Sequence, residues 1–230
     1  MKKKILYIVC SIFILFICFI IFDNFNQKRI LKNEVNTFSK KDISKDRFNT
    51  PIKTHGNYAV VEKTIKKFLD DYAVSFQNVS KVSEDKILSN MLLADNYKND
   101  GPYFEKSYKY LNDKKLSFDN DMDILIEYCN ERNIKKMIKN KNLSDYYVNL
   151  YDSLMLNDNM TKDFEDSRLL LEDYKNNMDK LFDNTKAVLD YLFTQKGNWE
   201  IQDDKILFKE NSMIDQYNLL ISKVNKKTNN

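Results

Sequence analysis

Residues 58–82 read YAVVEKTIKKFLDDYAVSFQNVSKV, and the spacing of their apolar members decides the fold class. Val61, Ile65, Phe68, Tyr72, Phe76 and Val79 step by threes and fours, which keeps them on one face of an α-helix. Glu62, Lys63, Lys66, Lys67, Asp70 and Asp71 take the other face and are expected to meet water. Neither Gly nor Pro interrupts the run.

The same texture continues toward the C-terminus. Ser83 is expected to cap a short helix carrying Ile87, Met91 and Leu92, followed by a loop over residues 96–101 that closes on Gly101-Pro102. A long helix from Tyr103 to about Cys129 places Phe104, Tyr108, Leu111, Phe118, Met122, Leu125 and Cys129 on one stripe, with Lys115 interrupting it. Ile134, Met137 and Ile138 mark a short helix. Ser144 is expected to cap the next, which carries Tyr147, Leu150, Tyr151 and Leu154. From Thr161 the longest pattern runs through Phe164, Leu171, Tyr174, Met178, Leu181, Thr185, Val188 and Leu192, a coiled-coil-like spacing that Gly197 ends. The period then changes to two. Trp199 and Ile201, then Ile206 and Phe208, alternate with polar neighbours around Asp203-Asp204, which predicts a β-hairpin. Ser212 is expected to cap a last helix with Met213, Tyr217, Leu220 and Val224.

Toward the N-terminus, residues 23–56 read as a stalk and linker, polar and carrying Pro51 and Gly56. Before them lies an apolar run, Ile5 to Phe22, behind Lys2, Lys3 and Lys4. As a helix it spans about 27 Å, close to the hydrocarbon thickness of a bilayer. Its exit lacks a small-residue cleavage pattern, so it reads as an uncleaved membrane anchor. The basic flank favours an N-terminus inside the cell and a domain outside it. The expected organisation is an anchor over 1–22, a stalk and linker over 23–56, a helical domain over 57–225 and a frayed tail over 226–230.

Composition agrees with a helical reading. There are only 3 Gly and 2 Pro in 230 residues, too few turn-formers for a sheet-rich domain. Lys2, Lys3 and Lys4 supply the entire excess of 37 basic over 34 acidic residues, so the rest of the chain is formally neutral. That balance argues against a nucleic-acid partner. Cys10 and Cys18 fall in the apolar run, which leaves Cys129 alone beyond it, so packing rather than a disulfide is expected to hold the domain. Cys129 is expected as a buried thiol.

No catalytic, metal-binding or cofactor-binding constellation emerges. His55 is the one histidine, and a nucleophilic or zinc site needs further partners. The stretch Asp119 to Asp123 imitates the start of a calcium loop. However, Ile124 stands where the loop needs Gly, Asn130 stands at the twelfth position, and the stretch lies in a helical stripe. Asp70-Asp71 and Asp203-Asp204 read as solvent-facing charge, since adjacent helical residues do not converge on a substrate. The sequons at Asn78, Asn142 and Asn159 are unsurprising in an Asn-rich chain. Trp199 is the candidate partner-binding residue; the simpler reading makes it a plug under the hairpin with its N–H bonded locally.

The stretches Gly56 to Glu62, Ala94 to Pro102 and Gly197 to Ile201 together resemble uncharacterised membrane-anchored helical proteins of low-GC Gram-positive bacteria. The resemblance spans Gly56 to about Tyr217 and implies no activity. The expectation is a mainly α protein: an N-terminal transmembrane helix, then an extracytoplasmic helical bundle with one small C-terminal β-hairpin. Its expected role is non-enzymatic, binding or scaffolding an envelope protein or associating with itself, with the membrane contacted through residues 5–22. A module for a small ligand or peptide held between helices is the alternative. A cell-wall-acting enzyme is a third; it requires two facing carboxylates from different helices, with a raised pKa.

Overall fold

The computed structural model describes residues 22–38, 40–156 and 158–225. Among these the chain is mainly helical, with one small antiparallel hairpin near the C-terminus. The elements are α1 (22–38), α2 (Gly56–Ser83), α3 (Lys86–Asn90), α4 (Ala94–Asp100), α5 (Glu105–Tyr128), α6 (Glu131–Lys139), α7 (Asp145–Met155), α8 (Asp158–Thr194), β1 (Trp199–Gln202), β2 (Lys205–Phe208) and α9 (Asn211–Asn225).

The expected single-pass location is corrected here. Among the described residues no helix is long and apolar enough to cross a membrane, so single-pass anchoring is not supported. The expected anchor over 5–22 lies outside the described residues except for Phe22. The α1 helix that follows carries Asp23, Lys28, Arg29, Lys32 and Glu34, and turns Leu31 and Phe38 into a protein core.

The chain divides into two compact units. One comprises residues up to Val74 together with Asn130–Phe164; the other comprises Ser75–Cys129 and Glu165 onward. In the first unit the expected stripe of α2 is buried at Val61, Ile65 and Phe68. Residues 40–55, read from sequence as a linker, are strapped to α2. Asp70 accepts hydrogen bonds from Arg47 Nε at 2.8 Å, Phe48 N at 2.9 Å and Asn49 N at 3.2 Å. Glu62 accepts from Thr54 N at 2.8 Å and Lys53 N at 3.0 Å. Ile134 and Ile138 of α6, and Leu150, Tyr151 and Met155 of α7, are also buried.

In the second unit the core gathers Leu111, Phe118, Met122 and Leu125 of α5 with Phe182, Val188, Leu189 and Leu192 of α8. Phe118 and Phe182 meet with ring centroids 5.8 Å apart. Lys175 of α8 donates to Asp119 and Asp123 of α5, each at 3.1 Å. The calcium-like stretch is therefore a helix face whose charge a lysine answers. Cys129 is a buried thiol.

Three local expectations are revised. Of the 96–101 segment, residues 96–100 are helical, as part of α4, rather than a loop, and Gly101 caps the helix. Ser83 ends α2, and the cap of α3 is Asp85, whose carboxylate accepts from Ile87 N and Leu88 N. Ser212 lies inside α9, which begins at Asn211. The hairpin forms as expected: Trp199 pairs with Phe208 and Ile201 with Ile206. Asp203 and Asp204 both take positive φ, 48° and 58°, the backbone of a two-residue primed turn made without glycine.

Candidate binding groove

Trp199 is built into the second unit from several directions. Its indole N–H donates to Leu192 O at 2.7 Å. Its ring stacks on Phe104 at 6.2 Å and meets Tyr97 edge-on at 6.2 Å. Gly101 allows this approach, because a Cβ there would stand 2.9 Å from the indole and 2.4 Å from Tyr97 O. Trp199 is half-buried and its polar atom is used internally, which is the geometry of a plug under the hairpin. Around it, the Tyr97 and Tyr217 hydroxyls lie 3.1 Å apart, and the Phe208 and Tyr217 rings lie 5.4 Å apart. Burial raises the pKa of both tyrosines, so they remain neutral phenols.

This aromatic cluster seats α9, yet α9 buries no side chain completely, and neither does α3. Between them opens a groove of about 500 Å³. Leu88 of α3, Leu92 and Leu93 beyond it, Met178 and Leu181 of α8, and Tyr217, Ile221 and Val224 of α9 line it. Ser83, Ser89 and Thr185 add hydroxyls. Leu93 is about half exposed. Mostly apolar walls with a few polar groups are the usual make-up of a binding cleft.

The carboxylate in the groove is Asp85, and its hydrogen bonds are already committed. It caps α3, accepts the Tyr110 hydroxyl at 2.6 Å and pairs with Lys114 at 2.7 Å. Burial acts to raise its pKa, but these donors overcome that and hold it at about 2. At neutral pH it is a fixed anion and a poor general acid.

Two carboxylates from different helices do converge, in the first unit. Glu34 of α1 and Glu62 of α2 share Lys66, whose Nζ lies 3.0 Å from one and 2.5 Å from the other. Lys66 also donates to Pro51 O at 2.7 Å, and Glu34 pairs with Lys53. Glu62 and Lys66 are 0% and 3% exposed, beyond the reach of a substrate. Burial pushes both carboxyls up, and the lysine and threonine donors more than reverse it, leaving both below the usual range. That is opposite to the raised pKa a hydrolytic acid needs. The cluster instead ties α1, α2 and the 47–55 strap together.

The remaining sequence candidates lie apart. His55 is exposed and sits 3.2 Å from Asp23. Asp204 holds the hairpin tip against Lys98 at 2.5 Å. Asp70, expected at the surface, is the buried partner of Arg47, while Asp71 pairs with Lys67 on α2. Among the described residues no group of three or more His, Cys, Asp or Glu could hold a metal ion.

The groove itself escaped the sequence because Leu92, Leu181, Tyr217 and Val224 look there like ordinary core positions, while Leu88 and Ile221 fall outside the expected stripes. Comparison with models of known protein families, with characterised proteins and with solved structures finds no match in any of the three.

Proposed function

We propose that this chain is a non-enzymatic protein-binding module, and that the groove between α3, α8 and α9 receives an apolar segment of a partner protein. The observation that carries this reading is the half-buried apolar face of α9, which no other helix among the described residues fully covers. A groove walled by helices suits an amphipathic helix, which would set apolar side chains at i, i+3, i+4 and i+7 against Leu88, Leu181 and Ile221. The groove's ionised carboxylate is committed to a cap and an ion pair, so the cleft supplies apolar contact rather than proton transfer.

Capture with the tagged full chain tests this. A discrete partner should be retained by the native protein and by a Lys67→Glu control on α2, and lost by Leu181→Lys and Ile221→Lys. Recovery of the same proteins by all four would defeat the reading. A small apolar ligand is the second reading, favoured by the Met178 and Tyr217 walls. It predicts that a fluorescent apolar dye saturates the native groove while no protein depends on it.

A further inference from the structure

The α6 helix carries the most one-sided charge of the described structure. From Glu131 to Lys141 there are five basic side chains, Arg132, Lys135, Lys136, Lys139 and Lys141, against one acidic. Beyond Lys4 the chain as a whole is balanced, so this is a local concentration. Its placement follows from packing. Ile134 and Ile138, one turn apart, are both 0% exposed, and they pin one side of α6 into the first unit's core. The basic positions are thereby turned outward: Arg132, Lys136, Lys139 and Lys141 are exposed.

Among the described residues, single lysines without an ion pair, such as Lys63 and Lys209, occur elsewhere; on α6 three unpaired cations share one short helix, whereas many other cations are answered. Lys67, Lys109, Lys175 and Lys186 each pair with a carboxylate of their own or a neighbouring helix. On α6, Lys135 pairs with Glu131. Among the described residues no carboxylate stands within ion-pair distance of Arg132, Lys136 or Lys139. Asp152 of α7 attracts Lys135 and Lys139 from farther off and leaves the face strongly positive. Arg132, Lys136 and Lys139, with Asn130, Asn140 and the Glu131–Lys135 ion pair, line a shallow depression of about 670 Å³. The three unpaired cations sit on a helix anchored from beneath by Ile134 and Ile138.

We propose that this face is a docking surface for an acidic protein segment, a run of Asp and Glu side chains. It is a second contact, independent of the apolar groove in the other unit. Charge complementarity is the argument for this occupant: unanswered cations on a rigid element attract an oppositely charged chain and steer its approach. The chain's overall neutrality disfavours a nucleic acid, whose backbone charge would meet comparable repulsion and attraction over the rest of the surface.

The test is fluorescence anisotropy of the full chain with a labelled ten-residue oligoglutamate, in low and in moderate salt. Saturable binding that weakens with salt is expected. K136E/K139E should weaken it by about tenfold or more. A K205E/K209E control on the second unit should leave it unchanged. Circular dichroism verifies that α6 persists in the variant, since Ile134 and Ile138 are untouched. No saturable binding at low salt, or equal loss in both double variants, overturns the proposal. So does single-stranded DNA of matched charge binding more tightly through the same two lysines.

Discussion

Lys66 is the residue whose environment departs most from its place in the sequence. It sits among the charged positions of α2, where an amphipathic helix meets water, yet it is 3% exposed between Glu34 and Glu62. A buried cation with two anions is stable only while the set is complete. Replacing Lys66 by Met should therefore cost about 3–5 kcal/mol, read as a lower urea midpoint; a loss below about 1 kcal/mol would show that the cluster holds little. Asp70 presents the same physics with a pH signature. The Arg47 guanidinium, aided by the Phe48 and Asn49 N–H groups, holds its carboxyl at about 2, below the ~3.9 of an unfolded chain. A depressed folded pKa gives stability that is full above pH ~4 and lost as pH falls toward ~2, about 2 kcal/mol for this group. Asp70→Asn should be less stable at pH 7 and flatter between pH 5 and 2 in thermal melts, while Asp85 contributes equally to both proteins. Of these partners only Glu62, one helical turn before Lys66, lies within reach of a sequence reading. The others that cover Lys66 and Asp70 lie 15 to 32 positions away in a strap and a helix that read as linker and stalk.

Elements were far more legible than their termini. Each long helix announced itself by apolar residues at threes and fours, and the hairpin by its switch to a period of two around Asp203-Asp204. What failed locally were competing caps. Asp85 displaced Ser83 because its carboxylate reaches two N–H groups of α3. The α4 segment, rich in Asn and Asp, folded as a helix because Tyr97 anchors it beneath Trp199. The close approach at Gly101 carries a prediction at this scale. Gly101→Ala pushes a methyl into Tyr97 O and the indole, so α4 and β1 must separate. A loss of about 1–3 kcal/mol and a red-shifted Trp199 emission are expected. Unchanged emission with unchanged stability would mean the hairpin does not rest on α4 in solution.

For the molecule as a whole, the mainly helical class with its C-terminal hairpin was legible in the sequence; the surfaces were not, and the expected membrane-spanning helix is not supported. Periodicity says that a stripe is apolar; it does not say whether another helix covers it. The C-terminal half of the α8 stripe is buried at Met178, Thr185, Val188 and Leu192, whereas α9 buries none of its stripe completely. Likewise, overall neutrality concealed the cations collected on α6, which emerge only once Ile134 and Ile138 define its inner side. Binding through the open stripe of α9 is the central claim, and a photo-crosslinking scan along that helix tests it most directly. A photoactivatable residue is placed in turn at positions 215, 217, 219, 221, 223 and 224 of the full-length protein in its native cells. Crosslinks to one partner at 217, 221 and 224, with 215, 219 and 223 silent, are predicted, because only the former line the groove. Equal crosslinking around the helix, or a pattern centred on 215, 219 and 223, would contradict it.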